Sequence, residues 1–216
     1  LDKSYNFVDL LKDVNKIEGI ERMRFMTSHP KDFSAELAAA YGTLENLSPH
    51  LHLPVQSGSN RILKLMNRNY TREDFIKQIE LVRSIVPEIT ITTDLIVGFP
   101  GESEEDFEQT IKLCQEVRFD SAYTFLYSIR EGTAAANMDE QIPDEIKHQR
   151  FQRLMNTLNP ISLSLNKNLL GTVQGVLVEE VSKNDYNMLS GRTEGGKLVH
   201  FKGTDHLIGQ DRKSVV

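Results

Sequence analysis

Asp94 stands inside a run rich in β-branched residues, Ile89–Val97, between Thr93 and Leu95-Ile96-Val97. A carboxylate in such surroundings costs several kcal/mol (roughly 2–7 for a polar group) unless it is paired or bonded to a ligand. Asp94 therefore reads as an acceptor for ligand hydroxyls or an ammonium group, or else as a solvated position on an edge strand. Polar clusters follow each of four strand candidates. They are Thr27-Ser28-His29, Gln56-Ser57-Gly58-Ser59, Gly98-Phe99-Pro100-Gly101-Glu102, and Tyr127-Ser128 with Arg130-Glu131-Gly132-Thr133. Each alone reads as a turn. Four on one rim point to a ligand site, because parallel α/β folds bind ligands beyond the carboxyl ends of their strands. Arg68 lies beyond a short helix, where it can reach back toward a ligand carboxylate or stay solvated.

Other reactive side chains carry less. His29, before Pro30, reads as a base, a ligand or a hydrogen-bonded turn histidine. His50 and His52 share a strand face, but no third metal ligand accompanies them. Cys114 shares an apolar helix face with Phe107, Ile111 and Val117, which makes it a core thiol. No nucleophile–base pair is recognisable by spacing.

The elements that must hold these residues alternate along the first 160 or so positions. Strands are expected at Ile20–Thr27, His50–Gln56, Ile89–Val97 and Asp120–Ser128. Helices are expected at Asp32–Tyr41, from Asn60 to Met66, at Thr71–Val86, and along Phe107–Val117. Thr71 with Asp74, and Ser103 with Asp106, have capping-box spacing. A long helical pattern runs from Pro143 to about Gly171, with an interruption expected at Pro160. Strand–helix alternation implies βα units and a parallel sheet, and four strands form only a partial barrel. After Gly171 the texture becomes all-β: Thr172–Val181 and Lys197–Phe201 read as strands, whereas Asp211–Val216 continues no strand pattern.

Composition sets the bounds. The 216 residues carry a net charge of −6. Residues 163–216 hold 7 Lys+Arg against 6 Asp+Glu, so the acidity lies in residues 1–162. Charge and texture both favour a boundary near 160–170, dividing the chain into 1–162 and 163–216. Neither part is basic enough to announce nucleic acid by charge alone. No apolar run approaches the roughly 18 residues a membrane span requires. The single cysteine excludes a disulfide framework and any multi-cysteine metal or cluster site built from this chain. The charged start lacks a signal-peptide pattern and reads as internal to a longer protein; with no disulfides, it suggests the cytoplasm.

Long motifs carry a resemblance. They are His52-Leu53-Pro54-Val55-Gln56-Ser57-Gly58-Ser59, Met66-Asn67-Arg68-Asn69-Tyr70-Thr71-Arg72-Glu73, and Thr93-Asp94-Leu95-Ile96-Val97-Gly98-Phe99-Pro100-Gly101-Glu102. They closely resemble the radical S-adenosylmethionine (SAM) methylthiotransferases, and Thr27-Ser28-His29-Pro30 fits the same family. Phe119–Ser128, Arg130-Glu131-Gly132-Thr133, and Gly191-Arg192-Thr193 with Lys197-Leu198-Val199 look like its tRNA-modifying (MiaB) branch. The resemblance implies an α/β fold, the second half of a radical SAM barrel, followed by a small all-β TRAM barrel that binds RNA and stops short of its last strand. The implied reaction is 2-methylthiolation of an N6-isopentenylated adenosine beside the tRNA anticodon. In the family, a 4Fe-4S cluster on a CxxxCxxC loop cleaves SAM to a 5′-deoxyadenosyl radical, and a second 4Fe-4S cluster takes part in sulfur delivery. Both clusters would lie outside this chain, which lacks that loop and alone could not perform radical chemistry.

By motif, Gln56 and Asp94 match positions contacting the SAM ribose, and Arg68 one contacting its carboxylate. Ser57 and the backbone of Gly98, Phe99 and Pro100 would line the same site. Arg192, Lys197 and Lys202 would meet tRNA phosphate, presented together by the small barrel, with Tyr186 and Phe201 as stacking candidates and core packing the favoured role for Phe201. The implied partners are SAM and tRNA, without membrane, and a monomer is expected. The alternatives are the branch that modifies a ribosomal-protein aspartate, disfavoured by the Arg192-Thr193 and Lys197–Val199 stretches, and a non-catalytic TRAM RNA-binding module.

Overall fold

The computed structural model describes residues 5–26, 29–183 and 185–215. Six helices and seven strands are described: α1 Phe7–Asn15, α2 Ala35–Thr43, β1 His50–His52, α3 Asn60–Leu65, α4 Arg72–Ile85, β2 Thr90–Val97, α5 Glu104–Val117, β3 Ser121–Leu126, α6 Asp144–Lys167, β4 Val173–Val181, β5 Met188–Thr193, β6 Leu198–Lys202 and β7 Asp211–Val215.

The helix starts follow local chemistry. Thr71 and Ser103 each close a full capping box, with Asp74 and Asp106. Past its cap, α4 buries Phe75, Ile79 and Val82, three to four residues apart, on one face. Helix α5 buries Phe107, Ile111, Cys114 and Val117 in the same way, then stops at Arg118, whose φ of 54° is left-handed. Strands β1, β2 and β3 form one parallel sheet in that order, with Asp94 beside Tyr123 and His52 beside Thr92. Alternation along β2 turns Ile91, Leu95 and Val97 into the helix-covered core, with Leu51, Phe75, Phe107 and Phe119. The opposite face carries His50, His52, Thr92, Asp94, Ile96, Tyr123 and Phe125; Tyr123 and Phe125 are 56% and 52% exposed.

Strands β4 to β7 form a separate antiparallel sheet, ordered β6-β5-β4-β7. Its small core is Val176, Val178 and Leu189. It docks at the amino ends of the parallel strands. There Arg22 donates to the Arg192 carbonyl at 3.0 Å and pairs with Asp211, and Lys197 Nζ pairs with Asp120 Oδ1 at 2.7 Å.

Several expectations are corrected. Residues 20–26, the described part of the expected strand Ile20–Thr27, form no strand: Met23 makes one bridge, to Leu47, two residues before the chain reaches Pro49 and β1, so a single pair stays in register. Among the described residues the parallel sheet thus has three strands. Thr27 and Ser28 themselves lie outside the described residues. Asp211–Val215 is a strand, β7, paired antiparallel with β4. Its Asp-Arg-Lys-Ser-Val sequence hides it because both faces at this sheet edge are polar, a pattern that suits an edge. The C-terminal sheet therefore does not stop at Gly209. Helix α6 continues through Pro160. Leu154 and Leu158 anchor it in the core ahead of the proline, and Ser162 Oγ donates to the Asp120 carbonyl at 2.7 Å beyond it. Packing on both sides offsets the one missing backbone bond. Helix α1 and strand β5 were not anticipated; α1 starts at an Asn6–Asp9 capping box.

Candidate ligand site at the carboxyl rim of the parallel sheet

A cleft of about 560 Å³ opens at the carboxyl ends of the three parallel strands. Gln56, Arg68, Ile96, Phe99, Tyr127 and Ser128 are among the residues lining it. The rim anticipated from four scattered clusters is thus built from three of them, with Arg68 reaching in from the turn after α3.

The backbone positions these groups. Just past β1 the chain forms one further bridge, in which Gln56 N donates to the Asp94 carbonyl at 2.9 Å and Ile96 N donates to Gln56 O at 3.0 Å. Gln56 itself sits at φ 71°, the left-handed region that a side chain with a Cβ rarely adopts. Such strain persists where the surroundings over-determine it, and here ladder bonds on both sides fix the peptide. Tyr70 Oη donates to the Val55 carbonyl at 3.0 Å, and burial pushes its phenol up to about 12.

The turn after β2 is clamped from α6. Gly98, at φ 75°, donates its N–H to Glu102 Oε2 at 3.0 Å. Arg150 Nη1 reaches the same carboxylate at 2.8 Å and the Glu102 carbonyl at 3.0 Å. Burial raises the Glu102 carboxyl against the lowering effects of the Gly98 amide and Arg150. A Cβ on Gly98 would run into the Lys147 side chain, so both the φ and the space require glycine here.

Two polar atoms at the cleft have no partner among the described residues: Arg68 Nε and Tyr127 Oη, both buried. A buried donor left unmade costs about 1–3 kcal/mol, and both atoms belong to residues that line the cleft, so a ligand entering it is the candidate partner. The Tyr127 ring stacks edge-on against Phe99 at 5.3 Å, giving the cleft an aromatic wall.

The expected site residues divide into those the structure gathers and those it does not. Gln56, Arg68 and Phe99 line the cleft. Asp94 lies one step below Ile96 on the same open face, with its side chain 27% exposed and Oδ1 3.4 Å from His52 Nε2. Ser57 is fully buried and faces away: its Oγ accepts from Ser59 N at 3.2 Å and sits 3.4 Å from Thr110 Oγ1. Gly98 and Pro100 shape the turn without lining the cleft. His29 caps a short turn, its Nδ1 accepting from Lys31 N at 3.1 Å, and its ring meets Tyr70 edge-on at 5.3 Å. Cys114 is fully buried, and burial pushes its thiol up to about 12.

The three cations expected to meet RNA are not presented together. Lys197 is committed to Asp120 in the seam between the two sheets. Arg192 lies 3.3 Å from Glu179 and remains half-exposed. Lys202 pairs with Met188 at the other end of β5. At about 3.3 Å per residue that puts Lys202 roughly 13 Å along the strand from Arg192. Tyr186 is 88% exposed, whereas Phe201 is half-buried opposite Leu189. The role of Thr92, which contacts both His50 and His52, escaped the sequence reading; the only signal was the shared-face spacing of the two histidines.

Comparison with known proteins accords with this geometry. Residues 3–114 match the model of the radical SAM superfamily. The chain is 55% identical over 210 residues to the tRNA-2-methylthio-N(6)-dimethylallyladenosine synthase of Thermoanaerobacter sp. (strain X514), covering 97% of this chain and 45% of that protein. It is 54% identical over 205 residues to the synthase of the same name from Acetivibrio thermocellus, covering 95% of this chain and 43% of that protein. The chain thus spans somewhat under half the length of these curated relatives. Among solved structures, coproporphyrinogen III oxidase (HemN) from Escherichia coli, a radical SAM enzyme, superposes with a TM-score of 0.55 at 14% identity, over 85% of this chain and 52% of that one. That likeness concerns the fold alone. With more than half of its residues matched to the superfamily model, and a parallel βα sheet that presents its candidate site at the carboxyl rim, the chain belongs to the radical SAM superfamily.

Proposed function

We propose that this chain is the C-terminal part of a cytoplasmic radical SAM tRNA methylthiotransferase. Residues 1–162 supply the second half of the barrel, and residues 163–216 form a TRAM-type RNA-binding module. The enzyme would add a methylthio group to C2 of an N6-isopentenylated adenosine beside the tRNA anticodon. The observation carrying this reading is the rim cleft, where Arg68 Nε and Tyr127 Oη are buried without partners among the described residues.

The cleft's chemistry fits SAM. Arg68 offers a guanidinium to the methionyl carboxylate. Gln56 orients the ribose from its strained backbone position, and the Asp94 carboxylate accepts from the ribose hydroxyls. Phe99 and Tyr127 furnish an apolar wall that limits water. When bound, SAM supplies the 5′-deoxyadenosyl group for radical chemistry. The residues present do not fit an iron–sulfur cluster: Cys114 is the sole thiol, is buried on α5, and faces the core. The 4Fe-4S clusters used by this family would be held by residues other than these 216. On the C-terminal sheet, Arg192 and Lys202 are the phosphate contacts and Tyr186 the stacking residue, while Lys197 holds the seam.

The test uses the complete gene product. Nucleoside analysis of tRNA from a deletion strain should show loss of the 2-methylthio group, restored by the intact gene. Asp94→Ala and Arg68→Ala should each weaken SAM binding about ten- to a hundredfold, the range for a hydrogen bond to a charged group. Unchanged SAM affinity in well-folded variants would overturn the site. Arg192→Ala should weaken tRNA binding and lower its salt slope by about 1 without changing SAM affinity.

A further inference from the structure

Across the open face of the parallel sheet, four polar side chains stand in a row. His50 Nε2 lies 3.1 Å from Thr92 Oγ1, and His52 Nδ1 lies 3.0 Å from that same oxygen. His52 Nε2 then lies 3.4 Å from Asp94 Oδ1. We propose that His52 is the positioning residue of Asp94, held as its Nε2–H tautomer by a directed chain that begins at His50 and passes through the Thr92 hydroxyl. This rests on the reading of Asp94 as the acceptor for ligand hydroxyls.

The direction follows from counting protons. The Thr92 hydroxyl has one hydrogen and two lone pairs, so with neutral rings it donates to one ring and accepts from the other, or accepts from both; in the latter case His52 is protonated on Nδ1 and turns its Nε2 lone pair toward Asp94, which is repulsive. If Thr92 donated to His50, His52 would carry its proton on Nδ1 and aim the Nε2 lone pair at a carboxylate, which is repulsive. The reverse arrangement has no conflict. His50 Nε2–H donates to Thr92, the Thr92 hydroxyl donates to His52 Nδ1, and His52 Nε2–H faces Asp94. His50 Nδ1 is then a bare acceptor; it is buried with no partner among the described residues. Burial and the nearby Arg24 disfavour the charged form of His50, and burial likewise lowers His52 against the opposing pull of Asp94. Both rings are thus neutral at pH 7, as the chain requires. The Tyr123 ring meets His52 edge-on at 5.7 Å and confines its plane. At 3.4 Å the last link is longer than a good hydrogen bond. Site contacts of this kind commonly shorten when ligand binds.

Asp94 thus has one oxygen turned toward His52, leaving the other for the ligand. His50 begins the chain at the amino end of the sheet, where Arg24, Asp120 and Lys197 surround it electrostatically. The site at the carboxyl rim and the seam beneath the C-terminal sheet lie at the two ends of one row of polar side chains.

Long-range 1H–15N spectra of 15N-histidine-labelled protein at pH 7 test this. The expected result is Nε2–H for both His50 and His52, retained in Thr92→Ser and lost as a single tautomer for His52 in Thr92→Val. In the complete protein, Thr92→Val should weaken SAM binding about three- to tenfold, the scale of one hydrogen bond. His52→Gln, whose amide nitrogen occupies the Nε2 position, should bind closer to the parent than His52→Asn. A protonated His52, or one with its hydrogen on Nδ1, overturns the chain. So does Thr92→Val binding SAM as tightly as the parent while Asp94→Ala weakens it. If Asp94→Ala leaves SAM binding unchanged while His52 is Nε2–H, the ligand reading of Asp94 fails and the directed chain stands.

Discussion

The two sheets hold themselves together by different means. The parallel sheet buries a continuous cluster running from Val8 to Leu158, with Leu51, Ile91, Leu95, Phe75, Phe107 and Phe119 fully inside. The antiparallel sheet buries Val176, Val178 and Leu189, and otherwise relies on its ladder and its docking contacts. The apolar burial that offsets chain entropy is concentrated in the first. The second is a polar surface held in a defined place. Apolar mass accompanies the cleft proposed to hold a ligand, where geometry must be held tightly, and surface charge accompanies the part proposed to meet a flexible polyanion.

The largest effect expected to separate the two is a cavity on each side. Phe75→Ala removes a ring that contacts Phe119 at 6.1 Å and should cost about 3–5 kcal/mol. Denaturant unfolding should show that loss as a shift of the main transition. Leu189→Ala should instead release amide protection in β4 to β7 while leaving β2 protected in hydrogen exchange; equal loss in β2 would mean that the sheets open as one. Next comes Gly58→Ala. A Cβ at Gly58 would stand 2.5 Å from the Gln109 carbonyl oxygen and 2.6 Å from Thr110 Cα, both backbone atoms of α5. Overpacking there should cost roughly 1–3 kcal/mol, read as a lower denaturation midpoint.

A smaller loss is expected from Lys197→Met, because its pair with Asp120 keeps 18% and 14% side-chain exposure and water screens part of it. Its signature is faster exchange at the seam with SAM affinity preserved. The last expected effect is a pH dependence. His50 falls to about 4 in the folded protein, from an ordinary 6.5. The unfolded chain therefore binds more protons between those values, so this contribution is complete above pH 6.5 and is lost as pH falls toward 4. Comparing stabilities at pH 7 and pH 5, His50→Gln should show a smaller difference than the parent.

Most of the fold could be read from the sequence where the period was strong. Helices α4 and α5 announce themselves by capping boxes and three-to-four-residue apolar spacing, and β2 by its β-branched run. Strand β7 could not be read, because an exposed edge strand of Asp-Arg-Lys-Ser-Val has no apolar face to alternate. The candidate cleft was legible in its rim residues, Gln56, Arg68 and Phe99, since polar groups after strands converge in a parallel sheet. What escaped was pairing between strands: Thr92 joining His50 to His52 depends on a register that only the folded sheet fixes. For the same reason Lys197 read as a free cation, when its partner Asp120 lies far away in sequence.

Asp120 does two jobs with one carboxylate. Oδ2 accepts from Ile91 N at 2.9 Å, fastening the start of β3 to β2, while Oδ1 holds Lys197. Together with Arg22 and its bonds to Arg192 and Asp211, it makes the C-terminal sheet a poor candidate for exchange as a cassette. A chimera joined at 162/163 would cut inside α6 and set a foreign sheet against native residues 22, 24 and 120. A workable transplant must therefore carry these three positions along with the sheet, although Arg22 and its partner Asp211 are 189 residues apart in the chain.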